Sequence, residues 1–225
     1  MKKTICIDPG HGGADPGAVN GDRYEAGDNL RLSLAVGNIL SRQGHRVVFT
    51  HKGEIPAQTK LGLDARRRIG IESRADLFLS VHRNSFHDPA AKGIEVWIRH
   101  SAHTEAAARL LEEIAGVEHQ ANRGVKTGAY AVLYDMPMPA ILLELGFLSN
   151  ERDNELFDRH FDAYATAIAG GILAALGCEE KESTPEATPL YRVQVGAFTV
   201  RENAERLREA LLAKGYPSFV VKEAG

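Results

Sequence analysis

Four residues with the side chains of a hydrolytic metal site stand near the carboxyl ends of predicted strands, namely His11, Glu25, His82 and Glu144. His11 follows the first predicted strand in DPGHGG, His82 ends another in SVHRNS, and Glu144 lies within LLELGF. Glu25 stands in the loop after the first strand. The carboxyl ends of parallel strands lie at the same edge of a sheet, and ligands bind beyond that edge. We therefore expect all four side chains at one edge of the sheet.

Histidine and glutamate side chains gathered at one edge of a sheet favour the binding of a metal ion. Two histidines and one glutamate are a common catalytic zinc set that leaves a coordination position for water. A second glutamate nearby supplies the general base that such a water needs.

Each residue also has a simpler interpretation. The glycines around His11 could form only a tight turn or a weak phosphate loop. His82 could be an ordinary residue at a strand end, and Glu25 a solvated loop carboxylate. Glu144 is harder to explain in this way, because a glutamate between Leu143 and Leu145 is costly to bury unless it is paired or functional.

Other catalytic motifs are absent from the sequence. It contains no G-x-S-x-G nucleophile elbow, no H-E-x-x-H and no glycine-rich nucleotide loop. Cys6 lies in an apolar strand, which is typical of an inert buried thiol, and Cys178 has no motif around it. These absences leave the histidine and glutamate set as the candidate site.

The elements that must position this set alternate between strand and helix. The predicted strands are 3–8, 46–50, 76–82, 93–99 and 140–145. Helical spacing covers 29–43, 61–74 and 103–119, and the apolar positions of a further helix run from 156 to 176. This alternation predicts an α/β fold, a three-layer αβα domain with a mostly parallel twisted sheet.

The composition changes after the last of these helices. Residues 179–189, EEKESTPEATP, lack large apolar side chains, and this composition predicts an acidic linker. We therefore expect a catalytic domain over 1–178 and a separate unit over 190–225. The latter has a strand–helix–strand pattern, a βαβ half-module too short to build a good core alone.

Length, charge and hydropathy exclude several classes of protein. The chain has 225 residues, 44% of them hydrophobic, and a net charge of −3, which argues against a nucleic-acid partner. No apolar run approaches the ~18 residues of a membrane span. The apolar stretch after Met1-Lys2-Lys3 is too short for a signal peptide, so synthesis in the cytoplasm without a secretion signal is expected.

Four ordered segments carry a resemblance to a known family: IDPGHGGADPGA, the segment 25–30, SVHRNS and MPAILLELGFLSN. In order and spacing they resemble the zinc-dependent N-acetylmuramoyl-L-alanine amidases of the amidase-3 type, over about residues 3–176. The resemblance implies that His11, Glu25 and His82 bind Zn²⁺ and that Glu144 is the catalytic carboxylate. This chain departs from the family at Arg83, because the family often has a small residue after the second histidine. Arg83 could hold a stem-peptide carboxylate or main-chain carbonyl, or it could be a solvated arginine. We take Arg83 and Asn84 as the candidate substrate-binding residues.

The substrate that this family implies is peptidoglycan, cut between the lactyl group of N-acetylmuramic acid and L-alanine. Two alternatives stay open at this point. The same site could serve a zinc peptidase or deacetylase acting on another bond of the wall. The chain could also be a non-catalytic wall-binding protein.

The C-terminal residues YRVQVGAFTVRENAERLREALLAKGYPSFVV resemble the first half of a SPOR domain. The resemblance implies binding of glycan strands that lack stem peptides, with Arg192 and Gln194 on the glycan-facing side of the first strand. The alternative is that half a module binds nothing. Unpaired strand edges also predict either a monomer or a dimer formed through this tail. Without a secretion signal, the enzyme is expected to reach the wall after cell lysis or through a holin.

Overall fold

A central six-stranded sheet organises the fold in the computed structural model, which describes residues 1–56, 58–118, 120–178, 193–214, 216 and 218–221. The strands are β1 (Thr4–Pro9), β2 (Val19–Asn20), β3 (Arg23–Tyr24), β4 (Arg46–Phe49), β5 (Leu77–Asn84), β6 (Ile94–Ile98), β7 (Asn122–Thr127) and β8 (Ala140–Phe147). The helices are α1 (Glu25–Arg42), α2 (Leu63–Glu72), α3 (Thr104–Ala115), α4 (Glu151–Arg159), α5 (Phe161–Ala175) and α6 (Arg201–Ala213).

The strand order is β4-β1-β5-β8-β6-β7, with β2 and β3 forming a separate hairpin. Strands β4, β1, β5 and β8 are parallel, β6 runs antiparallel to β8, and β7 is parallel to β6. The predicted α/β fold with a mostly parallel sheet is confirmed. Because β1, β5 and β8 are neighbours, the carboxyl ends that carry His11, His82 and Glu144 lie side by side.

The two faces of the sheet are covered to different extents. Helices α1, α3 and α5 pack on one face, where Val36, Leu110 and Ile168 join the main apolar core. The other face carries a smaller apolar cluster of Phe78 and Leu142, covered by α2 and the short 3-10 turn at 131–133. Alternate side chains of a strand share a face, so His82 and Glu144 belong to this less covered side.

Three elements differ from the sequence predictions. Helix α1 begins at Glu25, four residues before the predicted start at 29. The apolar run between 156 and 176 forms two helices, α4 and α5, which are separated at His160. Strand β7 was not predicted, because NRGVKT at this sheet edge has only one large apolar residue and no clear alternation.

The C-terminal unit forms its helix but not its predicted strands. Helix α6 is present, whereas residues 193–198 and 218–221 have no strand pairing. Val193 and Val195, which alternate with Arg192 and Gln194 in the predicted first strand, are 85% and 57% exposed. The βαβ prediction is therefore wrong for the described part of this unit, because a strand without a hydrogen-bonded neighbour has no ladder to hold it. The predicted linker at 179–189 lies outside the described residues.

Among the described residues, no helix has both the length and the apolar character that crossing a bilayer requires.

Candidate metal and catalytic site

Three of the predicted site residues meet at the carboxyl ends of β1 and β5. His11 Nε2 lies 3.1 Å from Glu25 Oε2, and His82 Nδ1 lies 2.8 Å from Glu25 Oε1. One donor atom from each residue can be chosen so that all three lie within 4.8 Å of one another. The glutamate thus stands between two imidazoles, in an arrangement that could hold a metal ion.

Glu25 is held as an anion by its place at the first residue of α1. The positive end of a helix favours a carboxylate there. The main-chain amide of Ala18 donates to its Oε2 at 2.9 Å, and the Asn29 side chain donates to its Oε1 at 3.2 Å. Burial alone would raise the pKa of Glu25, but hydrogen bonds and charges from His11 and His82 outweigh it and hold the pKa well below its usual range.

His11 is presented by an unusual backbone conformation. Its φ of 65° lies in the left-handed region, which is uncommon for residues other than glycine. Its Nδ1 lies 3.0 Å from Asp15 Oδ2, so this carboxylate fixes the ring orientation and leaves Nε2 toward Glu25. Burial lowers the pKa of His11, but Glu25 and Asp15 outweigh it and raise the pKa to about 8.

A buried ion pair beneath the site supports the turn that carries His11. Arg66 pairs with Asp8 at 2.8 Å and donates to the carbonyl oxygens of Pro9 and His11, both at 2.6 Å. Thr50 and Ser80 donate to the same Asp8 carboxylate. Arg66 therefore connects α2 by hydrogen bonds to Pro9 and His11, the two residues on either side of Gly10.

Glycine is needed at two positions that touch the site. A Cβ atom added at Gly10 would lie 2.3 Å from Cε1 of His82. At Gly17, where φ is +66°, an added Cβ would lie 2.6 Å from the His11 ring and 2.7 Å from Glu25 Oε2. The glycines around His11 therefore give the imidazoles and the carboxylate room to approach each other.

Glu144 stands opposite His82 in the pairing of β5 with β8, and it is only 8% exposed. Its Oε2 has no hydrogen-bond partner among the described residues. Burial raises the pKa of Glu144 well above its usual range, the charges of Glu25 and Glu95 raise it further, and Arg83 opposes them. A carboxylate in this state is a good proton acceptor for a group brought next to it.

Arg83 does not have the surroundings of a substrate-binding residue. It is 1% exposed and donates to Asp28 at 2.7 Å and to Asn154 at 2.8 Å, with its guanidinium 4.2 Å from the centre of the Phe157 ring. Strand alternation turns this side chain away from the face of His82 and into the helix layer. The substrate contact expected for Arg83 is thus corrected to a buried structural pair.

Asn84 lies at the end of β5 with both ends of its amide engaged. Its Nδ2 donates to Glu95 Oε1 at 2.8 Å, and its Oδ1 accepts from the Ser85 amide. Of the residues predicted for the C-terminal unit, Gln194 is exposed, and Arg192 lies outside the described residues.

Several residues around the site were not found from the sequence. Arg66 is one of three consecutive arginines, a pattern typical of a solvated helix face, but it is buried. Asp15 stands four residues after His11, a spacing that could have marked it as a partner of the imidazole. Glu95 carries no local signal, since only the pairing of β6 with β8 brings it opposite Glu144.

Comparisons with known proteins identify the family that this chain resembles. The family model of N-acetylmuramoyl-L-alanine amidases matches residues 5–174, and that of the SPOR domain matches residues 180–225. The sporulation-specific N-acetylmuramoyl-L-alanine amidase of Bacillus subtilis is 33% identical over 224 residues, which cover 96% of this chain and 84% of that protein. The amidase CwlM of Bacillus licheniformis is 32% identical, with the same two coverages.

A solved structure extends the likeness to three dimensions. The catalytic domain of CwlV, an N-acetylmuramoyl-L-alanine amidase from Bacillus (Paenibacillus) polymyxa, superposes with a TM-score of 0.72 at 34% identity. The match covers 80% of this chain and all of that domain. The C-terminal segment, residues 180–225, matches the model of the SPOR domain. The chain therefore belongs to the N-acetylmuramoyl-L-alanine amidase family of cell-wall hydrolases.

Proposed function

We propose that this chain is a zinc-dependent amidase that hydrolyses the bond between the lactyl group of N-acetylmuramic acid and L-alanine. His11, Glu25 and His82 would hold the zinc ion, and Glu144 would act as general base and then general acid. One observation carries the proposal: one potential ligand atom from each of His11, Glu25 and His82 lies within 4.8 Å of the other two, beside the buried Glu144.

The residues present fit a catalytic zinc ion. Two imidazole nitrogens and one carboxylate oxygen are a donor set that zinc takes in hydrolases, with a position left for water. The unpartnered Oε2 of Glu144 supports the same interpretation, because a buried carboxylate oxygen normally has a hydrogen-bond partner. Zinc held there would acidify a water molecule and polarise the scissile carbonyl.

The chain's own residues account for the proton transfers. Glu144 would accept a proton from the attacking water, and its raised pKa suits it to that task. It would then return the proton to the nitrogen of L-alanine, because an amide anion is too basic to leave unprotonated. Asp15 would keep His11 in one orientation throughout by its contact with Nδ1.

Mass spectrometry of the soluble products from purified peptidoglycan tests this proposal. We expect free stem peptides with a new L-alanine amino terminus, lost with a chelator and restored by added zinc. A new terminus elsewhere in the peptide would indicate a peptidase, and loss of acetyl groups would indicate a deacetylase. Intact peptidoglycan under all conditions would favour a non-catalytic wall-binding protein.

For the C-terminal segment, we propose binding to glycan strands that lack stem peptides, the product of the reaction proposed above. The match of residues 180–225 to the SPOR domain model and the exposed side chain of Gln194 support this assignment. Cosedimentation with glycan stripped of its peptides, compared with intact peptidoglycan, tests it. Equal binding to both would contradict it. Dimerisation through the tail stays a prediction, and a constant monomer mass in light scattering across concentrations would contradict it.

A further inference from the structure

A group of charged and aromatic residues lies next to Glu144 on the less covered face of the sheet. We call it the β6–β7 strip, and it consists of Glu95, Trp97, Arg123, Lys126 and Tyr130. Glu95 is paired directly opposite Glu144, and Lys126 is paired opposite Trp97. Directly opposite residues of neighbouring strands share a face, so the strip begins beside the proposed general base.

The strip has more positive than negative charge. Glu95 Oε2 accepts from Arg123 Nε at 2.7 Å and from Lys126 Nζ at 2.5 Å, and its Oε1 accepts from Trp97 Nε1 at 3.0 Å. Burial would raise the pKa of Glu95, but Lys126, Arg123 and Trp97 outweigh it and lower the pKa. Two cations thus surround one ionised carboxylate and leave one positive charge in excess.

Both cations are accessible to solvent. The Arg123 and Lys126 side chains are 39% and 31% exposed, whereas the Glu95 side chain that they share is 5% exposed. Arg66 and Arg83, which contact the segments that carry the metal-ligand residues, are buried against Asp8 and Asp28. An anion approaching Glu144 would therefore meet Arg123 and Lys126 rather than these buried arginines.

Aromatic rings connect the cations to the site. Lys126 Nζ lies 5.2 Å from the centre of the Trp97 ring, and the rings of Trp97 and Tyr130 are 5.1 Å apart. Burial raises the pKa of Tyr130 to about 12, with further contributions from the charges of Glu144 and Glu95. Tyr130 therefore lies within electrostatic reach of both carboxylates, and the strip is continuous with the site.

We propose that the β6–β7 strip is a subsite for a carboxylate of the stem peptide, and that Arg123 and Lys126 determine a preference for acidic peptides. This inference rests on the function proposed above. In the implied substrate the N-acetylated sugars are neutral, and the lactyl carboxyl group is already part of the amide bond. The peptide therefore supplies the anions, and it leaves from the atom to which Glu144 returns a proton.

Two synthetic N-acetylmuramoyl peptides of one sequence test the subsite. One carries a free carboxylate on the residue after L-alanine, and the other carries a carboxamide there. We expect the wild-type chain to favour the carboxylate substrate by about tenfold in kcat/KM, the scale of one charge-assisted hydrogen bond. Lys126→Gln and Arg123→Gln should each lose most of that preference through a higher KM for the carboxylate substrate.

Matched variants separate recognition from folding. Arg109→Gln removes an exposed cation of α3, on the other side of the sheet from the strip, and should keep the full preference. Lys126→Arg should restore much of the preference that Lys126→Gln loses. Thermal unfolding checks that every variant is folded, and the ratio of kcat/KM for the carboxylate and carboxamide substrates reports the preference. Arg109→Gln should cut the carboxamide substrate at a near wild-type rate.

The outcomes distinguish the two proposals. Equal cleavage of both substrates by the wild-type chain, or a preference that survives in Lys126→Gln and Arg123→Gln, would overturn the subsite and leave the amidase function intact. Cleavage of neither substrate by the zinc-loaded wild-type chain would overturn the proposed function and this inference together.

Discussion

Arg66 donates a hydrogen bond to the main-chain carbonyl of His11 at 2.6 Å, although the two residues are 55 positions apart in the sequence. The same guanidinium donates to Pro9 and pairs with the buried carboxylate of Asp8. A guanidinium presents its donors in a rigid planar fork, whereas a lysine ammonium is a compact charge on a flexible stem. Arg66 of α2 therefore stabilises the left-handed backbone conformation of His11 through the His11 carbonyl oxygen.

Replacing Arg66 by lysine tests this support. Arg66→Lys keeps a positive charge near Asp8 but loses the fork that reaches both carbonyl oxygens. We expect zinc affinity to fall by roughly 10- to 100-fold, as for other outer partners of metal ligands. Zinc affinity is measured by competition with a chromophoric chelator, with the exposed Arg68→Lys as the control. An unchanged affinity in folded Arg66→Lys would contradict the positioning role.

A methyl group at Gly10 tests the contact between the β1 turn and the His82 ring. Gly10→Ala would place a Cβ atom 2.3 Å from the imidazole, so His82 must move away from Glu25. We expect weaker zinc binding, by about tenfold or more. Gly27→Ala within α1 meets nothing within 4 Å and should bind zinc like the wild-type chain. Equal zinc affinity in the two variants would show that the close approach at Gly10 is unimportant.

The pKa of His11 predicts how metal affinity depends on pH. In the metal-free chain this pKa is raised to about 8, so the imidazole is mostly protonated at pH 7. Zinc binding must displace that proton, and the apparent affinity should therefore rise with pH until about 8 and then level off. Zinc titrations between pH 6 and 9 check this. A pH-independent affinity over that range would contradict the prediction.

The same raised pKa gives the metal-free fold the opposite pH dependence. Protonated His11 is stabilised by Glu25 and Asp15, so its contribution to stability is fully present below the usual histidine pKa of 6.5. That contribution is lost as the pH rises through about 8. Denaturant unfolding with a chelator present should show this loss in the wild-type chain and a smaller loss in Asp15→Asn.

Replacement of Arg83 separates a structural role from substrate binding. Arg83→Met leaves Asp28 without one of its buried partners, and loss of one partner of a buried pair typically costs about 3–5 kcal/mol. We expect that loss in urea unfolding, with little change in KM for the enzyme that remains folded. The exposed pair of Arg152 with Glu155 supplies the control, since Arg152→Met should cost less than ~1 kcal/mol. Full stability with a raised KM would restore the substrate role.

The sequence predicted the central part of the fold because its central strands are short and mostly apolar. Strand β8 is buried at all eight residues, and the predicted strand at 140–145 lies within its bounds. The convergence of His11 and His82 followed from the rule that parallel strands end at one edge. That rule required β1 and β5 to be neighbours, which periodicity alone does not determine.

Other features could not be predicted because they depend on long-range pairing. Arg66 looks like a solvated residue among arginines, and only the position of Asp8 under α2 explains its burial. Glu95 becomes part of the site through the antiparallel register of β6 with β8. The predicted strands of the C-terminal unit also depend on long-range pairing. The alternation of Val193 and Val195 predicts a strand, but it does not provide a neighbouring strand to pair with.

The central claim is that three residues hold zinc and Glu144 performs the proton transfer, and Glu144→Gln tests it most directly. Zinc content per chain and turnover of an N-acetylmuramoyl-L-alanine peptide would be measured on the same preparations, with the exposed Glu112→Gln as the control. We predict that Glu144→Gln keeps the zinc of the wild-type chain and loses at least ~10²-fold in turnover. Turnover within a few-fold of wild type would contradict the account.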